Sequence, residues 1–281
     1  MVNRILFTYW QQGIDAAPPV VRMCLSRMQQ MAPEWDIRIL DRESASAEMK
    51  EIPVSPERFE CLKIPHQSDL LRTHLLIKYG GVWADPTVFF SQPLDNWIHS
   101  VTTGGLFIFV NPGRDRLISN WFIASDPGNL LLGELYSRLC TYWNENRFRN
   151  LSTPPGALER FLSRALNRNR TLPRLWLRSP IRRILRIAPY MIYHYQFHDL
   201  VCGDADCRAS WKKAGKLPAV GPIRLLRHGL LNPVSDEVMA MVEKPVAPVF
   251  KLTWKLPDDE IPEGSVLDYL SRRTHAELSA E

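Results

Sequence analysis

The sequence predicts an α/β protein built on a mainly parallel sheet. Three observations lead there. The chain opens strand, helix, strand; a later helix stops at two glycines and turns at once into a short apolar strand; and two more apolar segments of strand length follow before residue 126. With 281 residues and 45% hydrophobic content, the chain can bury one continuous core, and no repeat or low-complexity linker divides it, so a single domain over residues 1–281 is expected.

Arg4-Ile5-Leu6-Phe7-Thr8-Tyr9-Trp10 reads as a buried first strand ending in Gln11-Gln12-Gly13. A helix should follow from Pro18 or Pro19, because proline is tolerated in a first turn, with Val20, Val21, Cys24, Leu25 and Met28 on its apolar face. Trp35 to Asp41 alternates polar and apolar side chains as a half-exposed strand does. Ser68 to Tyr79 is the best-marked helix, with Ser68 as expected N-cap, Asp69 in the first turn and Leu71, Leu75 and Leu76 as its apolar stripe. Gly80 suits the positive-φ position that ends it. The strand Val82-Trp83-Ala84 then ends at Asp85, because Pro86 has no N–H to extend a central ladder. Gly105 to Val110 and Trp121 to Ala124 read as further buried strands, and the chain beyond Asn150 as mainly helical with proline interruptions.

Several function classes are disfavoured at once. No apolar run approaches the roughly 18 residues a membrane span needs, and Met1 to Phe7 is too short and polar for a signal peptide, so a cytosolic chain is expected. Five scattered cysteines, an odd number, point to free thiols. Cys202 and Cys207, with His198 just before, outline part of a zinc set, but a second close pair is missing. Between Arg147 and Arg186 eleven arginines face one acid, Glu159, which gives +10 and leaves −5 for the rest of a chain of net charge +5. Too few aromatics are interspersed for nucleic-acid binding. A solvated helical face explains such a run, and so does an anionic membrane surface, beside which Leu175-Trp176-Leu177 and Ile184-Leu185 would embed.

Asp85 lies at the carboxyl end of a strand, where open α/β sheets collect ligands. Asp69 and Arg72 stand three apart on one helix face, a spacing that a plain ion pair explains equally well. Together with the aromatic strand end at Phe7 to Trp10, these types supply what a nucleotide-sugar needs: a platform for the base, carboxylates for hydroxyls and a cation near the pyrophosphate.

The run Ser68-Asp69-Leu70-Leu71-Arg72, then Tyr79-Gly80-Gly81-Val82-Trp83-Ala84-Asp85-Pro86-Thr87, then Pro93-Leu94-Asp95, resembles the core signature of bacterial capsular polysaccharide synthesis glycosyltransferases. These are relatives of the Och-type mannosyltransferases and, more distantly, of the glucosylating clostridial toxins. Phe7 to Gly13, Asn120 to Ser125 and Lys251 to Lys255 are similar to that family's opening, middle and closing blocks, in the same order.

The resemblance implies a GT-A fold with an added, mainly helical C-terminal part, a nucleotide-diphosphate sugar donor (UDP before GDP), Mn²⁺ or Mg²⁺, and retention of configuration. Carried over by position, Phe7, Thr8, Tyr9 and Trp10 would cradle the base and ribose. Ser68, Asp69 and Arg72 would bind donor hydroxyls, and Asp85 with Thr87 would face the metal and diphosphate. Lys251, Trp254 and Lys255 would close over the phosphates, Asn120 would lie beside the reacting sugar, and His198 would fall in the acceptor pocket, where a structural histidine is an equal reading. The implied acceptor is a growing capsular or lipopolysaccharide glycan, free or lipid-linked, at the inner face of the membrane. Broader relatives carry a second carboxylate where this chain has Thr87, and a hydroxyl is the weaker ligand for a hard cation. Phe250 is another departure, at a position where relatives can carry a ligating residue. A non-catalytic sugar-nucleotide or glycan binder on the same fold, or a nucleotide-sugar hydrolase, are the competing readings.

Overall fold

The computed structural model describes residues 2–151, 154, 156–256 and 261–278. Its centre is a six-stranded sheet in the order β2-β1-β3-β6-β5-β7, formed by β1 (Ile5–Tyr9), β2 (Asp36–Leu40), β3 (Gly81–Ala84), β5 (Leu106–Gly113), β6 (Arg116–Ser125) and β7 (Gly215–Pro218). β1 pairs in parallel with β2 and β3, while β6 runs against β3 and β5. The α/β class is therefore the one expected. A parallel group, β2-β1-β3, meeting one antiparallel strand is the arrangement of the GT-A sheet that the resemblance implies. A separate two-stranded ladder joins β4 (Val88–Phe90) to β8 (Val249–Lys251). Three-residue strands carry no periodicity, and neither was expected from the sequence.

Side chains alternate across the sheet, so each strand feeds two cores. Leu6, Val82, Ala84, Phe107 and Phe122 face the core under α1 (Pro19–Met31), which also receives β4, β8 and the start of the last helix, Val266–Leu278. Phe7, Tyr9, Trp83, Ile108 and Ile123 face the opposite core, covered by α2 (Ile64–Tyr79), α3 (Leu130–Glu145) and α5 (Ile192–Gly203). Between the last two lies α4 (Ala157–Leu166), whose Leu162 and Leu166 pack on a smaller cluster of Trp176, Ile187 and Tyr195.

The helix expected from Ser68 begins one turn earlier. Lys63 is its N-cap and proline stands in its first turn, so Ser68 lies within the helix and caps nothing. The exit is tighter than expected. Gly80 and Gly81 both have positive φ, at 66° and 89°. A Cβ on Gly80 would stand 2.7 Å from Pro127 Cδ, and one on Gly81 would meet the Ile5 carbonyl of β1. Glycine is thus required twice where α2 delivers the chain into β3.

All five cysteines are unpaired. Among the described residues no helix is long and apolar enough to cross a membrane. The expected apolar patches of the arginine-rich segment are only partly on the surface. Trp176 is fully buried, and Leu177 and Leu185 pack inward, whereas Leu175 and Ile184 are exposed.

Candidate functional site

The carboxyl ends of β1 and β3, the near half of β6 and the buried face of α2 converge on one group of charges. Asp69 and Arg72 lie on the same side of α2 because residues three apart share a helix face. Arg72 Nη1 donates to Asp69 Oδ1 at 2.8 Å, and Nη2 donates to Asp85 Oδ1 at 3.0 Å. The guanidinium is only 4% exposed and lies over the Trp83 ring, 4.9 Å from its centroid. Trp83 Nε1 in turn donates to Asp85 Oδ1 at 3.0 Å. Asn120 of β6 donates from Nδ2 to Asp69 Oδ1 at 2.7 Å, and the Asp85 amide is held by the Trp121 carbonyl at 2.8 Å. A buried guanidinium needs its charges paired, and here two carboxylates from different elements pair it.

The closing block arrives from β8. Register with β4 sets Lys251 opposite Val88, and the Leu252 amide donates to the Thr87 carbonyl at 2.8 Å. Lys251 Nζ thereby reaches Asp85 Oδ2 at 3.4 Å and donates to Thr87 Oγ1. Trp254 is exposed and meets Trp10 edge to face, ring centroids 5.5 Å apart, with Lys255 Nζ 5.7 Å above its ring.

The end of β1 carries a second mark. Thr8 Oγ1, Tyr9 OH, Trp10 Nε1 and Gln11 Oε1 are buried with no hydrogen-bond partner among the described residues. Buried polar groups are normally satisfied, and each one left unmet costs about 1–3 kcal/mol. Tyr9 points into the core under α2, so Thr8, Trp10 and Gln11 are the three that could serve a ligand at the end of β1.

The structure gathers Asp69, Arg72, Asp85, Thr87, Asn120 and Lys251, and sets Trp10 and Trp254 against each other. It does not bring every expected residue there. Phe7 is fully buried on the other face of β1, between Tyr79 and the Arg38 guanidinium, and works as a core aromatic. Tyr9 is buried on that same face, in the core under α2 rather than beside the charged group. Ser68 is half-buried and has no side-chain contact with this group. His198 sits elsewhere on α5, 3.5 Å from Cys202 Sγ, and burial with Arg174 and Arg170 lowers its pKa. The partial zinc set is not assembled either. Among the described residues the one group of acids and histidine able to surround an ion is Glu48, Glu51 and His74, where Lys78 Nζ already pairs with Glu51 at 2.7 Å and Glu48 at 3.1 Å.

In place of His198, α5 and the residues before it contribute Tyr190, Tyr193 and His194. Burial, then Arg116 and Arg72, lower the His194 pKa to about 3, which keeps it neutral. Tyr190 stands in the turn before α5 with its ring 6.0 Å from that of His66 on α2, and the protein packed around its hydroxyl, with Asp69 and Asp85, raises its pKa. Tyr193 and His194 are neighbours on α5 and Tyr190 precedes the helix, an arrangement set by how the turn folds and not by a helical spacing in the sequence.

The residues fit a resident divalent cation poorly. Asp85 Oδ1 already accepts two hydrogen bonds, and Asp85 Oδ2 and Thr87 Oγ1 both face the Lys251 ammonium, which fills the position such an ion would take. What remains is a group of two carboxylates and two cations, with two indoles paired nearby at the end of β1 and in the segment after β8, residue types suited to an anionic ligand that carries hydroxyls and a ring.

A sequence model of a family described as capsular polysaccharide synthesis protein matches residues 1–150. The O-glycosyltransferase braB of Annulohypoxylon truncatum is 29% identical over 146 residues, 45% of this chain and 34% of that protein. The glycosyltransferase afumC of Aspergillus fumigatus is 28% identical over 161 residues, 50% of this chain and 41% of that protein. The chain thus spans well under half the length of these curated relatives. Among solved structures, the PaToxG glycosyltransferase aligns with 70% of this chain and 84% of its own, at 14% identity and a TM-score of 0.36.

Burial pushes the Asp69 carboxyl from 3.8 up to about 7, with Asp85 adding to the rise and Arg72 opposing it. A raised acid favours the fold while protonated, so its contribution is full below the unfolded value and is lost as pH rises toward 7. Thermal unfolding of Asp69→Asn and wild type should therefore diverge between pH 4 and pH 8, the variant gaining relative to wild type as pH rises. A constant difference across that range would refute the assignment.

Proposed function

The chain belongs to the capsular polysaccharide synthesis family, and on that premise we propose that it is a glycosyltransferase acting on a nucleotide-diphosphate sugar, UDP-linked before GDP-linked. The observation that carries this reading is the Arg72 bridge between Asp69 and Asp85 at the carboxyl end of the sheet, beside the unsatisfied polar groups that end β1. Trp10 and Trp254 offer ring surfaces for the base, and Thr8 and Gln11 offer unmet polar atoms for ribose or base. Asp69, held by Asn120 and Arg72, is placed to accept hydrogen bonds from sugar hydroxyls. Asp85 fixes Arg72 and Lys251 in front of the diphosphate, with Lys255 on the rim.

In the reaction the bond between the anomeric carbon and the diphosphate oxygen breaks, the electron pair leaving with the diphosphate. The acceptor oxygen bonds to the same carbon from the same face, and its proton passes to a diphosphate oxygen, so configuration is retained. The protein's part is electrostatic: preorganised cations stabilise the charge that develops on the leaving group. Neither carboxylate is set up as a nucleophile, since Asp85 faces cations on both oxygens and Asp69 is tied to α2 and β6. On the acceptor side, a cavity of about 300 Å³ lies between α4 and Pro189–Met191, with Tyr190 joining it to the charged group. We read it as the acceptor's entry, and the acceptor as a growing surface glycan, free or lipid-linked.

The arginine-rich segment supports a place at an anionic membrane surface on the cytoplasmic side. Phe161 and Ile184 are 66% and 69% exposed among its arginines, and apolar side chains flanked by cations are what such a surface holds. Arg174 and Arg186 are spent on Asp199 and the Arg147 carbonyl, so Arg183 and these apolar residues would make the contact. Vesicles containing anionic lipid should retain the protein at low salt, and Phe161→Ser with Arg183→Glu should release it; equal retention of the two would exclude this role.

Asp85→Asn keeps shape but removes the charge that holds Arg72 and Lys251. Release of nucleotide from the donor should fall at least about a hundredfold, as when a preorganised charge is lost, while circular dichroism remains that of the folded chain. Turnover near wild type in the folded variant would exclude the assignment. The same assay separates the rival readings, because a binder releases no nucleotide and a hydrolase releases it without diversion to acceptor.

A further inference from the structure

The resemblance implies a second carboxylate in the Asp85 turn and a divalent cation on the donor's diphosphate, whereas this chain sets a hydroxyl at Thr87 and an ammonium against it. We infer that Lys251 takes the place of that cation, so that the donor's diphosphate is bound and its departure stabilised without a metal. This rests on the sugar-nucleotide reading given above.

Position is the first support. Lys251 Nζ bridges Asp85 Oδ2 and Thr87 Oγ1, the two side-chain atoms that would otherwise ligate an ion. Asp85 Oδ1 is closed to an ion from the other side by Arg72 and Trp83. A hard cation binds by collecting oxygens at short range, and here the oxygens already serve N–H donors.

Fixation is the second. Lys251 is held by ladder pairing with Val88, by its own amide on the Pro222 carbonyl at 2.9 Å, and by the next amide on Thr87. Its backbone is therefore tied to the end of the Asp85 turn on one side and to Pro222 on the other. The side chain is 19% exposed, enough for an incoming oxygen to reach the ammonium, whose partners among the described residues are Asp85 and Thr87.

Charge is the third. With every group counted as ionised, Asp69 and Asp85 against Arg72 and Lys251 sum to zero, and a hydroxyl at Thr87 adds nothing. A second carboxylate there would leave the group at −1 and in need of an ion. The neutral Thr87 accepts from Lys251 without cancelling its charge, so the ammonium stays available to a phosphate.

The test uses the full chain, stripped of metal with EDTA, and titrates UDP and GDP by calorimetry in EDTA and in Mn²⁺, alongside release of nucleotide from UDP- and GDP-sugars. For wild type, affinity and release should agree within about threefold between the two conditions. In EDTA, Lys251→Ala should weaken nucleoside diphosphate binding at least about tenfold, as loss of a charge-assisted contact does, and Lys251→Arg should restore most of it. Lys251→Ala with Thr87→Asp rebuilds a two-carboxylate turn and should bind only when Mn²⁺ is present. Wild type that binds and turns over in Mn²⁺ but not in EDTA would overturn the inference and leave the sugar-nucleotide reading standing. So would unchanged affinity in a folded Lys251→Ala variant. Failure of both nucleotides to bind in either condition would overturn that reading, and the inference with it.

Discussion

A single buried guanidinium organises this protein. Arg72 bridges Asp69 on its own helix and Asp85 beyond β3, and its plane rests on the indole of Trp83. Removing one member of a buried pair leaves an uncompensated charge and costs about 3–5 kcal/mol. The helix, the strand and the turn after it are therefore locked as one unit. The two glycines make that unit possible, because with a Cβ at either position α2 could not pass so directly into β3. Asp85 then emerges at a fixed point relative to Asp69.

The second strap acts from the far end of the chain. β4 and β8 pair over three residues each, yet they carry Lys251 across roughly 160 positions to the turn that holds Asp85. Between these two attachments the charges are preset: Arg72 is fixed from within the fold and Lys251 from its edge. Such preorganisation lets a site stabilise developing charge without reorganising during the reaction. On the open side, Trp10 and Trp254 meet edge to face, with Lys255 beyond, so the segment after β8 brings an indole and an ammonium to that side.

How much of this was legible in the sequence depends on distance along the chain. β1, α1, β2 and β3 follow from short patterns of apolar residues and proline or glycine stops, and Asp85 follows from Pro86. The pairing of Asp69 with Arg72 is a matter of helical spacing, but the bridge from Arg72 to Asp85 is tertiary and no periodicity encodes it. Ser68 has the residue type of a cap but lies inside the helix, because Pro65 is itself a first-turn residue and lets α2 start at Ile64. Phe7 was assigned to the base although strand alternation sends it with Tyr9 to the core under α2, and sends Leu6 to the other. His198 and His194 stand one turn apart on α5, and which of them faces Arg72 is decided by how α5 packs between α3 and β6. Short strands such as β4 and β8 exist only through their partner, so the strap that places Lys251 could not be foreseen.

The central claim is that the Asp69–Arg72–Asp85 unit holds and activates a sugar nucleotide, and Arg72→Lys tests it most directly. Lysine keeps the charge but cannot donate to both carboxylates through a planar fork. Measured as nucleotide release from UDP- and GDP-sugars by the folded variant, turnover should fall at least about a hundredfold, the scale of losing a preorganised contact. Turnover within about twofold of wild type, on the scale of a contact that does not matter to the reaction, would contradict the account.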